Sequence, residues 1–132
     1  EGTLRENIAL GSPDVDEAAM RRALRIAQVE PILDERVDRD GAMVGQGHGQ
    51  LSGGQKKRVA LARALVRAPD VLVIDQLATD LEGALNRQIF EALQREFDGT
   101  ILYLGHALPD GFVADDVYWL EDGVVRPHTG WK

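Results

Sequence analysis

Two short apolar runs constrain this chain more than anything else in it. Val71-Leu72-Val73-Ile74 is unbroken and largely β-branched and ends at Asp75, and Thr100-Ile101-Leu102-Tyr103-Leu104 is a second run of strand length. Between them Leu85, Ile89, Leu93 and Phe97 recur at the spacing of one helical face. Strand, amphipathic helix, strand predicts a parallel pair joined by a right-handed crossover. Continuous runs of this kind predict strands covered on both faces. In such sheets ligands sit beyond the carboxyl ends of the strands, and those ends carry Asp75 and His106.

The segment before the first run reads as helical. Up to about Arg36, Met20, Ala23, Leu24 and Ala27 follow the i, i+3, i+4, i+7 stripe of a buried helix face. Ser12-Pro13 offers a cap and a first-turn proline, and Pro31 predicts a break into a long helix and a short one. From Val37 to Leu51 the glycines are too frequent for a regular element. A further helix is predicted from about Gly53 to Val66, stopped by Pro69. After the second strand, Val117-Tyr118-Trp119-Leu120 and Val124-Val125 flank the turn sequence Glu121-Asp122-Gly123, a hairpin signal. The tail from Pro127 has no periodicity.

Composition removes several classes. With 132 residues and 44% apolar content the chain can bury roughly two-thirds of its unfolded surface, so a core needs no staples. There is no cysteine, which excludes disulfides and thiolate metal sites. No apolar run is long enough to span a bilayer. The residues after Glu1 lack the basic and apolar regions of a signal peptide, and the missing initiator Met points to a fragment or a processed chain. A net charge of −7, from 22 acidic and 15 basic residues, argues against a broad nucleic-acid surface while allowing one local phosphate site.

Of 14 glycines, six lie between Gly41 and Gly54. Leu51-Ser52-Gly53-Gly54-Gln55 stands where that loop enters a helix. Ser52 can cap the helix, and Gly53 and Gly54 let a bulky anion approach the unpaired first-turn amides at the positive end of the helix dipole. An ordinary capped helix fits the same residues, and spacing alone leaves both readings open. Asp75 can likewise be a plain strand-end carboxylate and His106 a plain loop histidine. The basic residues from Lys56 to Arg67 read as a solvated face. His48 reads as a loop or interface residue, and His128 has no role.

The run from Leu51 to Leu65, LSGGQKKRVALARAL, resembles the signature motif and signature helix of ATP-binding cassette (ABC) transporters. Val71 to Asp75 looks like the Walker B strand at the family's spacing, and Gly105-His106 like the switch-histidine loop. Gly2 to Ile8 resembles the segment after the Q-loop, and Val44-Gly45 the exporter-type X-loop. The resemblance covers nearly the whole chain in the family's order. It implies an α/β fold that is part of the P-loop NTPase type: a helical subdomain, a parallel β-α-β unit and a C-terminal hairpin. The domains would be residues 1–68, ending in the signature helix, and 69–132, the later part of the ATPase core.

The resemblance also implies a mechanism. Two cassettes would meet head to tail, with Leu51, Ser52, Gly53, Gly54 and Gln55 meeting ATP held by the other subunit. Asp75 would hold Mg²⁺, His106 would sense the γ-phosphate, and Thr79 to Glu82 would form the D-loop at the interface. Partners would be a second, non-identical nucleotide-binding domain and a transmembrane domain, with no nucleic acid. The place would be the cytoplasmic side of a membrane, peripherally through that domain.

Two departures stand out. No G-x-x-x-x-G-K-[ST] sequence occurs, so the chain is expected to begin after the Q-loop, to be an inactive ATPase alone and to bind ATP poorly. Gln76 stands where the family has its catalytic glutamate, and an amide is no useful base. Gln46 and the stretch Leu77 to Glu82 depart too, so Asp75, Gln76 and His106 are expected to form a naturally degenerate catalytic site beside an intact signature. Alternatives are a non-catalytic nucleotide-sensing or dimerisation module, and the head of a DNA-repair or chromosome-organising ATPase. An isolated chain is expected to expose apolar sheet surface and to self-associate.

Overall fold

The computed structural model describes residues 2–10, 12, 14–35, 43–44, 51–77 and 83–128. In order these form β1 (Gly2–Thr3), α1 (Leu4–Ala9), α2 (Glu17–Ile26), α3 (Glu30–Glu35), β2 (Met43–Val44), α4 (Gly53–Leu65), β3 (Val71–Asp75), α5 (Gly83–Glu96), β4 (Thr100–Leu104), β5 (Tyr118–Glu121) and β6 (Val124–Pro127). The expected D-loop, Gln46, His48 and Gly41, Gly45, Gly47 and Gly49 lie outside the described residues.

Local chemistry sets the helix ends. Thr3 and Glu6 close a capping box at α1: Thr3 Oγ1 accepts from the Glu6 amide at 3.1 Å, and Glu6 Oε2 accepts from the Thr3 amide at 2.7 Å. α2 starts at Glu17, not at Ser12-Pro13 as expected; Asp16 is its N-cap and makes no side-chain cap bond. The helix begins where the apolar stripe begins, so packing and not a cap decides its start. At its other end the Gln28 amide bonds Arg25 O at 3.1 Å and the Val29 amide bonds Leu24 O at 2.8 Å. That is a Schellman ending with Gln28, φ 55°, in the left-handed seat usually given to glycine. Pro31 falls in the first turn of α3, where a missing N–H costs no helix bond.

One apolar core runs through the described chain. The predicted stripe Met20, Ala23, Leu24 and Ala27 is buried, with Leu4 and Ile8 of α1 and Val59, Leu61, Ala62 and Leu65 of α4. α4 packs on α1 and α2, and α2 packs on α5. α5 buries Ile89, Phe90 and Leu93, and the Phe90, Tyr103 and Phe112 rings meet at centroid distances of 5.4 to 6.0 Å.

β3 and β4 pair in parallel from Val71↔Thr100 to Asp75↔Leu104, as the strand, helix, strand pattern requires. The expectation of two covered faces fails. Leu72 and Ile74 are buried, but Val71, Val73, Leu102 and Leu104 are 55, 57, 50 and 46% exposed. Helices cover one face of this two-stranded sheet; beside the other the hairpin borders a groove next to β4 but leaves these four side chains exposed.

The hairpin forms as expected, with Glu121↔Val124 closing a two-residue turn. Asp122 at φ 50° and Gly123 at φ 74° are the two positive-φ positions of a type I′ turn. The tail expectation shifts: Pro127 ends β6, the His128 amide bonds Val117 O at 2.8 Å, and its ring meets Trp119 edge-on. The glycine-rich stretch also holds a strand, since Met43 and Val44 pair with Thr3 and Gly2.

Candidate functional site

Two groups of residues are candidates: the start of α4, and the carboxyl ends of β3 and β4. Ser52 has extended backbone, φ −62° and ψ 166°, and its Oγ accepts from the Gln55 amide at 3.2 Å. Gln55 Oε1 in turn accepts from the Ser52 amide at 2.9 Å. This reciprocal box satisfies the third helical amide and leaves those of Gly53 and Gly54 without a partner in the helix. The Ser52 hydroxyl keeps its proton to donate, and the Gln55 side chain keeps its N–H₂. Leu51 packs against the core and anchors the segment.

Gly53 is exposed, and a Cβ built on it would meet nothing within 4 Å. The fold therefore gives no steric reason for glycine there, although glycine in a helix is worse than alanine by roughly 1 kcal/mol in an interior position. Open space before two unpaired amides at a positive helix end fits a phosphate group.

Asp75 ends β3 with an exposed carboxylate, opposite Leu104. The Gln76 amide extends the ladder by one bond, to Leu104 O at 2.9 Å, and Gln76 then turns into the left-handed region at φ 47°. Exposed His106 lies two residues past Leu104 in a bend. The parallel register thus brings Asp75, Gln76 and His106 to one edge of the sheet. Among the described residues no group of three or more His, Asp or Glu could hold a metal. Asp75 fits a single protein ligand for Mg²⁺, with water and phosphate oxygens supplying the rest.

The basic residues of α4 and of the turn after it are not a plain solvated face. Lys57 Nζ donates to Gln76 O at 3.1 Å, and Arg58 Nη1 to Gln28 O at 2.6 Å. Arg63 Nε donates to Asn7 O at 2.8 Å, and Arg67 Nη2 to Leu10 O at 2.7 Å. These carbonyls lie at or beyond the C-terminal ends of α1, α2 and β3, so α4 and the turn after it pin three elements. Sequence reasoning missed this, because a cation aimed at a distant main-chain carbonyl leaves no spacing signal.

Burial pushes the Tyr103 hydroxyl above its usual range, Lys57 opposes that, and Asp75 adds to it. A groove of about 830 Å³ between β4 and the hairpin has His106 on its rim. Leu102, Leu104, Leu120 and Val125 line it together with Asp115 and Asp116, a lining unsuited to phosphate.

A family model described as ABC transporter matches residues 1–79. The chain belongs to the ABC transporter family. The mycobactin import ATP-binding/permease protein IrtB of Mycolicibacterium thermoresistibile is 36% identical over 126 residues, 95% of this chain and 22% of that protein. P-glycoprotein 14 of Caenorhabditis elegans is 37% identical over 126 residues, 95% of this chain and 10% of that protein. The chain thus spans about a tenth to a fifth of the length of these relatives. The structure of a bacterial Atm1-family ABC exporter with ATP bound matches with a TM-score of 0.69 and 28% identity, over 80% of this chain and 19% of that one. Fold and sequence together are those of an exporter-type ABC nucleotide-binding domain.

Proposed function

We propose that this chain is the signature and Walker B portion of the ATP-binding subunit of an ABC transporter, which drives solute transport by ATP-dependent, head-to-tail dimerisation. Gly53 carries the reading. Its glycine has no reason inside the fold, and its open amide at the start of α4 suits a phosphate presented from outside the chain. ATP supplies the phosphoryl group and Mg²⁺ the charge neutralisation in a complete cassette. Ser52, Gly53 and Gly54 would donate to the γ-phosphate, Leu51 and Gln55 would frame that loop, Asp75 would hold the metal, and His106 would donate to the phosphate. The organisation follows as a helical unit over residues 1–68 and the later ATPase core over 69–132. One relative is named for import, so the direction of transport is not part of the proposal.

In this reading the partners are a transmembrane domain and a second nucleotide-binding domain that differs from this one, at the cytoplasmic side of a membrane. Gln76 orients water but takes no proton, so the site containing Asp75 turns over slowly. The intact signature completes a working site on the partner. The test is Gln76→Glu in the full-length transporter. A rise of about 10²–10⁴ in hydrolysis at this site supports a degenerate ATPase. ATP binding with no rise favours a non-hydrolysing, dimerising role, and no ATP binding defeats the proposal.

A further inference from the structure

Lys57 and Arg58 are consecutive on α4, and each donates to the carbonyl of a residue with left-handed backbone. Non-glycine residues persist in that region only where their surroundings over-determine it. Gln28 has the Schellman bonds to do so. Gln76 is bonded on both sides, through its N–H to Leu104 O and through its C=O to Lys57 Nζ. The backbone of residue 76 decides where its side chain points, and that side chain stands next to Asp75.

We propose that Lys57 is a positioning residue: its hold on the Gln76 carbonyl fixes the left-handed backbone there and aims the side chain at position 76. The mechanistic meaning rests on the function proposed above. Lys57 lies about one helical turn beyond Gly53 on the same rigid helix. A shift of α4 when Gly53 and Gly54 meet a phosphate is therefore passed to the residue beside Asp75, linking two composite sites through one chain. The opposed effects of Lys57 and Asp75 on Tyr103 place the ammonium and the carboxylate within electrostatic reach of one side chain.

The test is hydrogen exchange in the full-length protein, read on a peptide spanning residues 72–77. Lys57→Met keeps the aliphatic stem and removes the donor, and it should speed exchange of the Gln76 amide about tenfold, the loss of a charge-assisted bond. Lys57→Arg should restore protection, and peptides within Val59 to Leu65 should not change. Unchanged exchange at Gln76 in the Met variant, or a speed-up spread along α4, overturns the proposal. Steady-state hydrolysis in the Gln76→Glu background gives the second readout: there Lys57→Met should lower kcat several-fold with KM for ATP held within about twofold. If the wild-type protein does not bind ATP, the function proposed above fails, while the exchange experiment still decides the role of Lys57.

Discussion

Arg25, in the last turn of α2, donates from both Nε and Nη2 to one carboxylate oxygen of Glu96, the last residue of α5. Arg95 Nη2 donates to the other oxygen at 2.7 Å. A carboxylate at a helix C-terminus meets the negative end of the dipole, and these two guanidinium groups offset that penalty while tying the first helices to the crossover helix.

The hydrogen bond from Arg25, then that from Arg95, holds the Glu96 carboxyl below its usual range. The folded value is depressed, so the stabilisation is complete above the unfolded glutamate value of about 4.3 and is lost as pH falls through the lower folded value. Urea midpoints at pH 6 and pH 3 should fall further for wild type than for Glu96→Gln. The pair is solvent-exposed on its arginine side, and the difference should be no more than about 1 kcal/mol. Equal falls would show that Glu96 does not sense the change.

Ser52→Ala removes an acceptor that the Gln55 amide uses. Stability should drop by about 1 kcal/mol in urea unfolding, while Ser52→Asn, which still caps, should stay close to wild type. An unchanged Ala variant would mean that packing of α4 alone holds its first turn.

A Cβ on Gly99 would stand 2.5 Å from Asp70 O and 2.7 Å from the Phe97 ring. Asp70 O also accepts from the Thr100 amide at 2.8 Å, the bond that starts the β3–β4 ladder. Gly99→Ala must push that carbonyl aside and should destabilise the fold by about 1–3 kcal/mol. A melting temperature equal to wild type would show that the strand start yields freely.

Val71, Val73, Leu102 and Leu104 expose one contiguous apolar face. The chain at high concentration should show a mass by light scattering that rises with concentration, and Leu102→Lys should reduce the rise. A constant monomer mass for wild type would contradict this.

How much could be read in advance depended on where the signal lay. The β-branched run at Val71 to Ile74, the face of α5 and the turn at Asp122-Gly123 are local patterns, and each produced its element. The Ser52-Gly53 start, the spacing of Leu61 and Leu65 and the stop at Pro69 located α4 within a residue. The exposed side of β3 was illegible, because a continuous apolar run does not report what packs on it. The left-handed ending at Gln28 hid behind a residue that is not glycine. The two-residue pairing of β1 with β2 joins residues about 40 apart with no periodicity to betray it. The work of Lys57, Arg58, Arg63 and Arg67 was hidden for a different reason: the groups they reach exist at every position of every chain.

That last property shapes which substitutions the fold can absorb. The acceptors facing α4 are main-chain oxygens, which any amino acid supplies. Mutational tolerance around these contacts is therefore lopsided. Asn7 and Leu10 can drift in side-chain identity without breaking the bonds they receive, and Gln28 can do so among residues that accept left-handed backbone, whereas Arg58 and Arg63 cannot lose their donors without leaving a part-buried carbonyl unanswered. The ends of three elements are held from one helix and the turn after it, so the acceptor positions at those ends can vary while the donors are kept.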